Sequence, residues 1–211
     1  MNSPKVVGSK AYEVTEREPP GKERYTRHKW LSAEDEALYD SREFLPVYIQ
    51  KTAEEKMRNH ALLDPRVEVM GLMLGRVHSW KGNEYVLVKD VVTSDLQATS
   101  VEVRFDRNGY EGLFDALDDI EYEYVVVGWY HSHPGHGCFL SDVDIGTQRA
   151  MFTEGYHTAV VIDPVNREMA AFHTVGDEVR PRPFAIYWDR FQNPYHGTSV
   201  VMRKLVRKKD E

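Results

Sequence analysis

The stretch Val125-Val126-Val127-Gly128-Trp129-Tyr130-His131-Ser132-His133-Pro134-Gly135, continued by His136-Gly137-Cys138-Phe139-Leu140-Ser141-Asp142-Val143-Asp144, organises the reading of the whole chain. Its first half is an apolar run of strand formers, read as a buried central strand over 125–131. Histidines at i and i+2 leave one face of such a strand about 6.6 Å apart, close enough for both imidazoles to bend onto one cation. Pro134 and Gly135 stop the strand and turn the chain. Ser141 is placed to cap a helix running to about Phe152, and Asp144 stands in its first turn, where a carboxylate can join the two rings. Three donors of mixed nitrogen and oxygen type leave a fourth tetrahedral position for water, the arrangement of a catalytic rather than a structural Zn²⁺. The expected centre is therefore one Zn²⁺ per chain on His131, His133 and Asp144. The expected chemistry is metal-dependent hydrolysis, with water acidified to a pKa of about 7. Ser141-x-x-Asp144 also fits a capping box, and the two readings are compatible.

Outward from this motif, strands and helices are interspersed with hairpins. Leu45–Ile49 reads as a short strand, and 51–63 as a helix with Ala53, Met57 and Ala61 on one stripe, ended by Asp64-Pro65. Residues 67–77 and 84–92 read as strands joined through Lys81-Gly82-Asn83, a hairpin signature. An edge strand over 101–105, a helix over 107–119 capped by Asp106, and closing strands at 156–162 and 169–175 complete the pattern. The fold class is mixed α/β (α+β): a curved mixed sheet between helices. The domain is expected over 44–178. Residues 1–43 read as an extension, partly disordered or packed on the domain, with Trp30, Leu31 and Leu38 as anchors. Residues 179–211 read as a tail, broken by Pro181, Pro183 and Pro194 and ending in a basic run.

Composition narrows the function classes. With 211 residues, 41% hydrophobic and 29% charged, the chain resembles a soluble globular protein. A net charge of −7 argues against a nucleic-acid surface as the main business. No apolar run approaches a membrane span, and no signal region opens the chain. A single cysteine excludes an internal disulfide and fits a reducing compartment, so the expected location is cytoplasmic. Cys138 is expected to be a packed or loop thiol, because a thiolate on the metal would block the water position. His28, His60, His78, His136, His157, His173 and His196 show no ligand spacing and are expected to be ordinary.

The run Gly128–Gln148, together with Glu68-Val69-Met70-Gly71-Leu72-Met73-Leu74-Gly75 upstream, resembles the JAMM (MPN+) zinc metalloproteases. Within that family the likeness points to the proteasome-lid deubiquitinase and the signalosome deneddylase, with a compactness that suggests an archaeal-type relative. It spans about Leu45 to His173. It implies a sheet sandwiched by helices in the cytidine-deaminase-like manner. Glu68, which spacing alone does not select among 34 acidic residues, takes its role from this likeness: the proton carrier beside the metal. Ser141 is expected to donate a hydrogen bond to the tetrahedral oxyanion.

The likeness also implies the substrate: the isopeptide bond between the C-terminus of ubiquitin, or a ubiquitin-like modifier, and a lysine amine. The segment from Thr93 to Val103 aligns with an insertion that pairs with an extended tail, so Thr93, Ser94, Gln97, Ala98, Thr99 and Val101 are candidate substrate contacts; a plain exposed loop is the alternative. Trp129 either walls a narrow channel or fills the core. The implied partners are ubiquitin-like conjugates and, beyond them, the proteasome or an AAA+ unfoldase, with no nucleic acid and no membrane. The family's lid subunit continues into long C-terminal helices for which this chain has little room, so few partners are expected. Two other readings stand: a JAMM peptidase acting on sulfur-carrier proteins or peptides, and a non-catalytic MPN scaffold.

Overall fold

The structure is a computed structural model that describes residues 14–42, 44–93 and 124–189. Among these residues a ten-stranded mixed sheet forms the spine. Its strands are β1 (Thr15–Glu16), β2 (Tyr25–Thr26), β3 (Val47–Gln50), β4 (Met70–Trp80), β5 (Asn83–Thr93), β6 (Val125–Ser132), β7 (Thr158–Asp163), β8 (Glu168–Val175), β9 (Glu178–Pro181) and β10 (Phe184–Tyr187). Their spatial order is β2-β10-β3-β5-β4-β6-β7-β8-β9, with β1 added beside the far end of β4. Three helices accompany them: α1 (Ala33–Asp40), α2 (Lys51–Leu63) and α3 (Asp142–Met151).

Helix α2 covers one face. Ala53, Met57 and Ala61 recur every fourth residue and are wholly buried against Val47, Ile49, Val86, Val88, Val127 and Val160. The chain leaves the helix at Asp64, whose extended backbone precedes Pro65. On the opposite face α3 lies over Met70, Leu72, Trp129, Ala159 and Val161. A third cluster, around Tyr48, Tyr85 and Tyr187, is closed by Tyr25 and by Tyr39 of α1. The β4–β5 hairpin turns on Lys81 and Gly82, both with positive φ (51° and 78°), the mirror-image turn that suits the strand twist.

One expectation changes. The stretch 179–187, read as the start of a tail, contributes strands β9 and β10 to the sheet: β10 inserts parallel to β3, with Phe184 opposite Val47 and Tyr187 opposite Gln50. The prolines misled because Pro181 closes an edge strand and Pro183 precedes a strand, the two places where a missing N–H costs no ladder bond. The leading segment over 14–42 lies on the domain through β1, β2 and Trp30, whose carbonyl accepts from Met169 N at 3.0 Å. The expected strand at 101–105 and helix at 107–119 fall outside the described residues.

The leading segment is fastened by a buried charge cluster. His28 Nδ1 accepts from Trp30 N, so Nε2 carries the proton and donates to Glu54 Oε1 at 3.0 Å. Lys51 and Arg58 donate to the same carboxylate at 2.8 Å each. Burial pushes the Glu54 carboxyl up, but the donors from His28 and Lys51 outweigh it and hold it at about 2, against an ordinary 4.5. A depressed carboxylate stabilises the fold fully above its unfolded pKa and loses that contribution as pH falls through its folded one. Glu54→Gln is therefore expected to lower the unfolding free energy at pH 7 by about 3 kcal/mol. Between pH 4.5 and about 2 its stability should fall with one proton less steepness than wild type, read from urea unfolding across that range.

Candidate metal centre

Strand β6 delivers the two histidines, and a bulge aims them. Gly128 pairs with Met73 while Val126 pairs with Leu74, so Val127 is the extra residue. Gly128 has φ 153°, and a Cβ there would run into the Thr158 carbonyl of the neighbouring parallel strand. The bulge resets the alternation: Val127 packs on the α2 face, whereas Trp129 packs on the α3 face. His131 follows Trp129 on that side, and His133 N continues the pairing with a bond to Ile162 O at 2.9 Å.

Helix α3 delivers the carboxylate. Ser141 caps it, with Asp144 N donating to Ser141 Oγ at 3.2 Å, while Ser141 N and Oγ both donate to Asp144 Oδ2 at 2.7 Å. The same Oδ2 lies 3.4 Å from His131 Nε2 and 3.5 Å from His133 Nε2, and the two ring nitrogens are 3.1 Å apart. All three side chains are buried. Burial opposes ionisation of Asp144, but the two facing rings and the Ser141 hydroxyl outweigh it and keep the carboxyl far below the usual carboxylate range. The donor set fits a divalent ion: bonds of about 2.0–2.2 Å in tetrahedral array require donor separations of about 3.3–3.5 Å. The residues expected to be ligands are thus brought together, from elements joined by a nine-residue connection whose length says nothing of the geometry.

That connection is held by a residue that sequence reading missed. Asp163, wholly buried at the end of β7, accepts from Gly135 N at 2.9 Å and Gly137 N at 2.7 Å, and also from Val165 N, Asn166 N and Asn166 Nδ2. Its carboxyl, which burial pushes up, is carried below the ordinary value by these donors. One carboxylate so clamps the turn after His133 to the adjacent strand. Cys138, on the same loop, donates to Val161 O at 3.3 Å, and burial pushes its thiol up to about 12. His136 is exposed, as expected. His28, His60, His78 and His157 are engaged elsewhere, and His196 lies outside the described residues.

The remaining candidates divide. Val69 O accepts from Ser132 N at 2.9 Å and Val69 N donates to Ser132 Oγ at 3.0 Å, which extends the Met70–His131 register. Half-buried Glu68 directly precedes Val69, two residues before β4 begins. Thr93 is exposed at the end of β5, opposite Gly71. Ser94, Gln97, Ala98, Thr99 and Val101 lie outside the described residues. Trp129 does not wall a channel: it is wholly buried, stacked on His131 with its N–H on Gln148, and it fills the core behind the site. Ser141 spends its single hydroxyl proton on Asp144 in this state.

The family description "JAB1/Mov34/MPN/PAD-1 ubiquitin protease" matches residues 42–154, more than half of the chain. The chain belongs to this family. Among JAB/MPN relatives, it is 37% identical over 125 residues to COP9 signalosome complex subunit 5 of Kluyveromyces lactis, which covers 57% of this chain and 32% of that protein. It is 39% identical over 137 residues to the 26S proteasome regulatory subunit RPN11 of Eremothecium gossypii, covering 64% and 42%. It is 34% identical over 153 residues to signalosome subunit 5 of Caenorhabditis elegans, covering 67% and 40%. The chain thus spans less than half the length of the curated relatives it matches. A solution structure of a Desulfitobacterium hafniense protein superposes with a TM-score of 0.49 at 21% identity, over 71% of this chain and 97% of that one. No helix among the described residues is long and apolar enough to cross a membrane.

The JAB/MPN loop geometry makes a checkable statement about Cys138. In native wild-type protein the thiol is expected to react with a disulfide reagent only on the timescale of unfolding. Asp163→Ala, which frees Gly135 and Gly137, should speed that reaction by at least about tenfold under native conditions. The rate of thiol release by absorbance checks both.

Proposed function

We propose that this chain is a zinc-dependent isopeptidase that hydrolyses the bond between the C-terminus of ubiquitin, or a ubiquitin-like modifier, and a lysine amine. The observation that carries the reading is the convergence of His131, His133 and Asp144 within ligand distance of one another. When bound on these three residues, Zn²⁺ supplies Lewis acidity and lowers the pKa of a coordinated water to about 7.

The other steps belong to the chain. Glu68 takes the proton of the attacking water and delivers it to the departing lysine amine, so one carboxylate serves as base and then as acid. Asp144 is kept ionised and fixed by its capping box, so it enters the reaction already oriented. Ser141 adjoins the same point, and its hydroxyl serves the developing oxyanion by exchanging its bond to Asp144 for one to the substrate oxygen. Thr93, at the end of β5, marks where the segment 94–101 would lay backbone against an extended modifier tail. The family's description as a ubiquitin protease supports conjugates of ubiquitin-like proteins as substrates, and the name of one relative, a proteasome regulatory subunit, supports the proteasome as a working partner, with an AAA+ unfoldase as the alternative. The cytoplasm is the proposed place of action.

The test is cleavage of a panel of linear and isopeptide-linked ubiquitin-like fusions by the purified chain. Wild type should cleave an isopeptide-linked member, lose activity with a chelator, and regain it with Zn²⁺. Glu68→Gln should keep its zinc content and lose at least about 10²-fold in rate. A Glu68→Gln protein as fast as wild type would refute the assignment of the base. A wild type that binds no zinc would refute the enzyme.

A further inference from the structure

A ligating histidine ordinarily donates its far ring N–H to a fixed acceptor, which sets the tilt of the ring. Here both far nitrogens, His131 Nδ1 and His133 Nδ1, are buried without a hydrogen-bond partner among the described residues. Another contact must hold the rings. His131 lies flat on Trp129, with ring centroids 4.5 Å apart and planes within 14°. Trp129 is likewise parallel to Phe152, at 5.7 Å and 13°. Its indole Nε1 donates to Gln148 Oε1 at 2.6 Å, and Gln148 Nε2 donates to Phe152 O at 3.3 Å. Gln148 is wholly buried, so this bond is made in a dry environment.

The spacing gives the bond its meaning. Gln148 follows Asp144 by four residues on α3, so the two side chains leave one helix face a turn apart. Trp129, His131 and His133 leave one face of β6 at steps of two. Strand and helix are therefore joined twice, in matching order: Asp144 against the histidine pair and Gln148 against the tryptophan behind it. We infer that the Trp129–Gln148 hydrogen bond is the positioning element of the metal centre. It fixes the height of α3 on β6, and with it the reach of Asp144 and the tilt of His131. This rests on the metal-dependent reading given above. Trp129 and Gln148 touch neither substrate nor ion; they act through His131 and Asp144.

The test uses the full chain and three variants, Trp129→Phe, Gln148→Leu and the double substitution. Trp129→Phe keeps a flat aromatic ring beside His131 and removes the N–H together with part of the indole ring. The double variant leaves neither partner unpaired, so it stays folded where Gln148→Leu alone buries an unsatisfied donor. Affinities for Zn²⁺ and Co²⁺ are measured on folded protein by competition with a chromophoric chelator, beside the visible bands of the Co²⁺ form. Each single change should weaken binding by about tenfold or more and shift the cobalt bands. The double variant should bind no more weakly than the poorer single one, because all three lose the same Trp129–Gln148 bond. Variants that are less stable to heat yet bind metal like wild type, with unchanged cobalt bands, would overturn the inference alone. A wild type that binds neither metal would overturn the metal-dependent reading and this inference with it.

Discussion

One carboxylate oxygen, Asp144 Oδ2, must stand within 3.4–3.5 Å of two imidazole nitrogens that belong to a different element. This constraint shapes the surrounding structure. Strand β6 has to run between β4 and β7 so that its end opens onto α3, and its bulge has to turn Trp129 and His131 towards that helix. Helix α3 has to start at a fixed height, which its capping box secures by binding the very oxygen that faces the rings. The turn between them has to be stiff, and Asp163 makes it so with donors from Gly135 and Gly137. Buried polar groups are costly unless fully engaged, so a site assembled this way carries its own specificity: any slip leaves several of them unpaired at once.

The family match ends at residue 154, yet the sheet does not. Strand β7, which carries Asp163 and pairs with the histidine strand, lies beyond it, as do β8, β9 and β10. At the other side, the leading segment reaches the core through Trp30 and through His28 on Glu54. The matched stretch therefore holds β3 to β6 and the His131, His133 and Asp144 group, while flanking residues complete the sheet and tether it. Glu54 and Asp163 play parallel parts in this: each is a buried carboxylate lowered from its ordinary pKa, Glu54 tying the residues around His28 to α2 and Asp163 tying the turn after His133 to β7.

The parts legible in advance were those with a local signature. The period-two histidines, the serine cap with its aspartate, the fourfold stripe of α2 and the Lys81-Gly82 turn each express a preference set within a few residues, and each stands where its pattern places it. Glu68 is singled out only by resemblance and its role is a proposal, since nothing local separates it from other acids at strand ends. Trp129 was ambiguous because a large aromatic beside a ligand has the same local sequence whether it faces the site or the core. Gly128 passed as a plain strand residue, because the bulge it permits arises from pairing with β4 and β7 and not from its neighbours.

By itself, then, the order of residues determined the His131, His133 and Asp144 group that could hold a metal, the strand-then-helix arrangement that presents it, and the helical and hairpin elements built on short-range periodicity. Only the tertiary structure decided that β10 returns to pair with β3, that Asp163 clamps the ligand loop, and that Gln148 reaches Trp129 behind His131. The physical reason is range. Backbone propensity and capping act over one or two turns, whereas these contacts join residues tens of positions apart or elements on opposite sides of a connection, and they form only once the sheet has brought them into register.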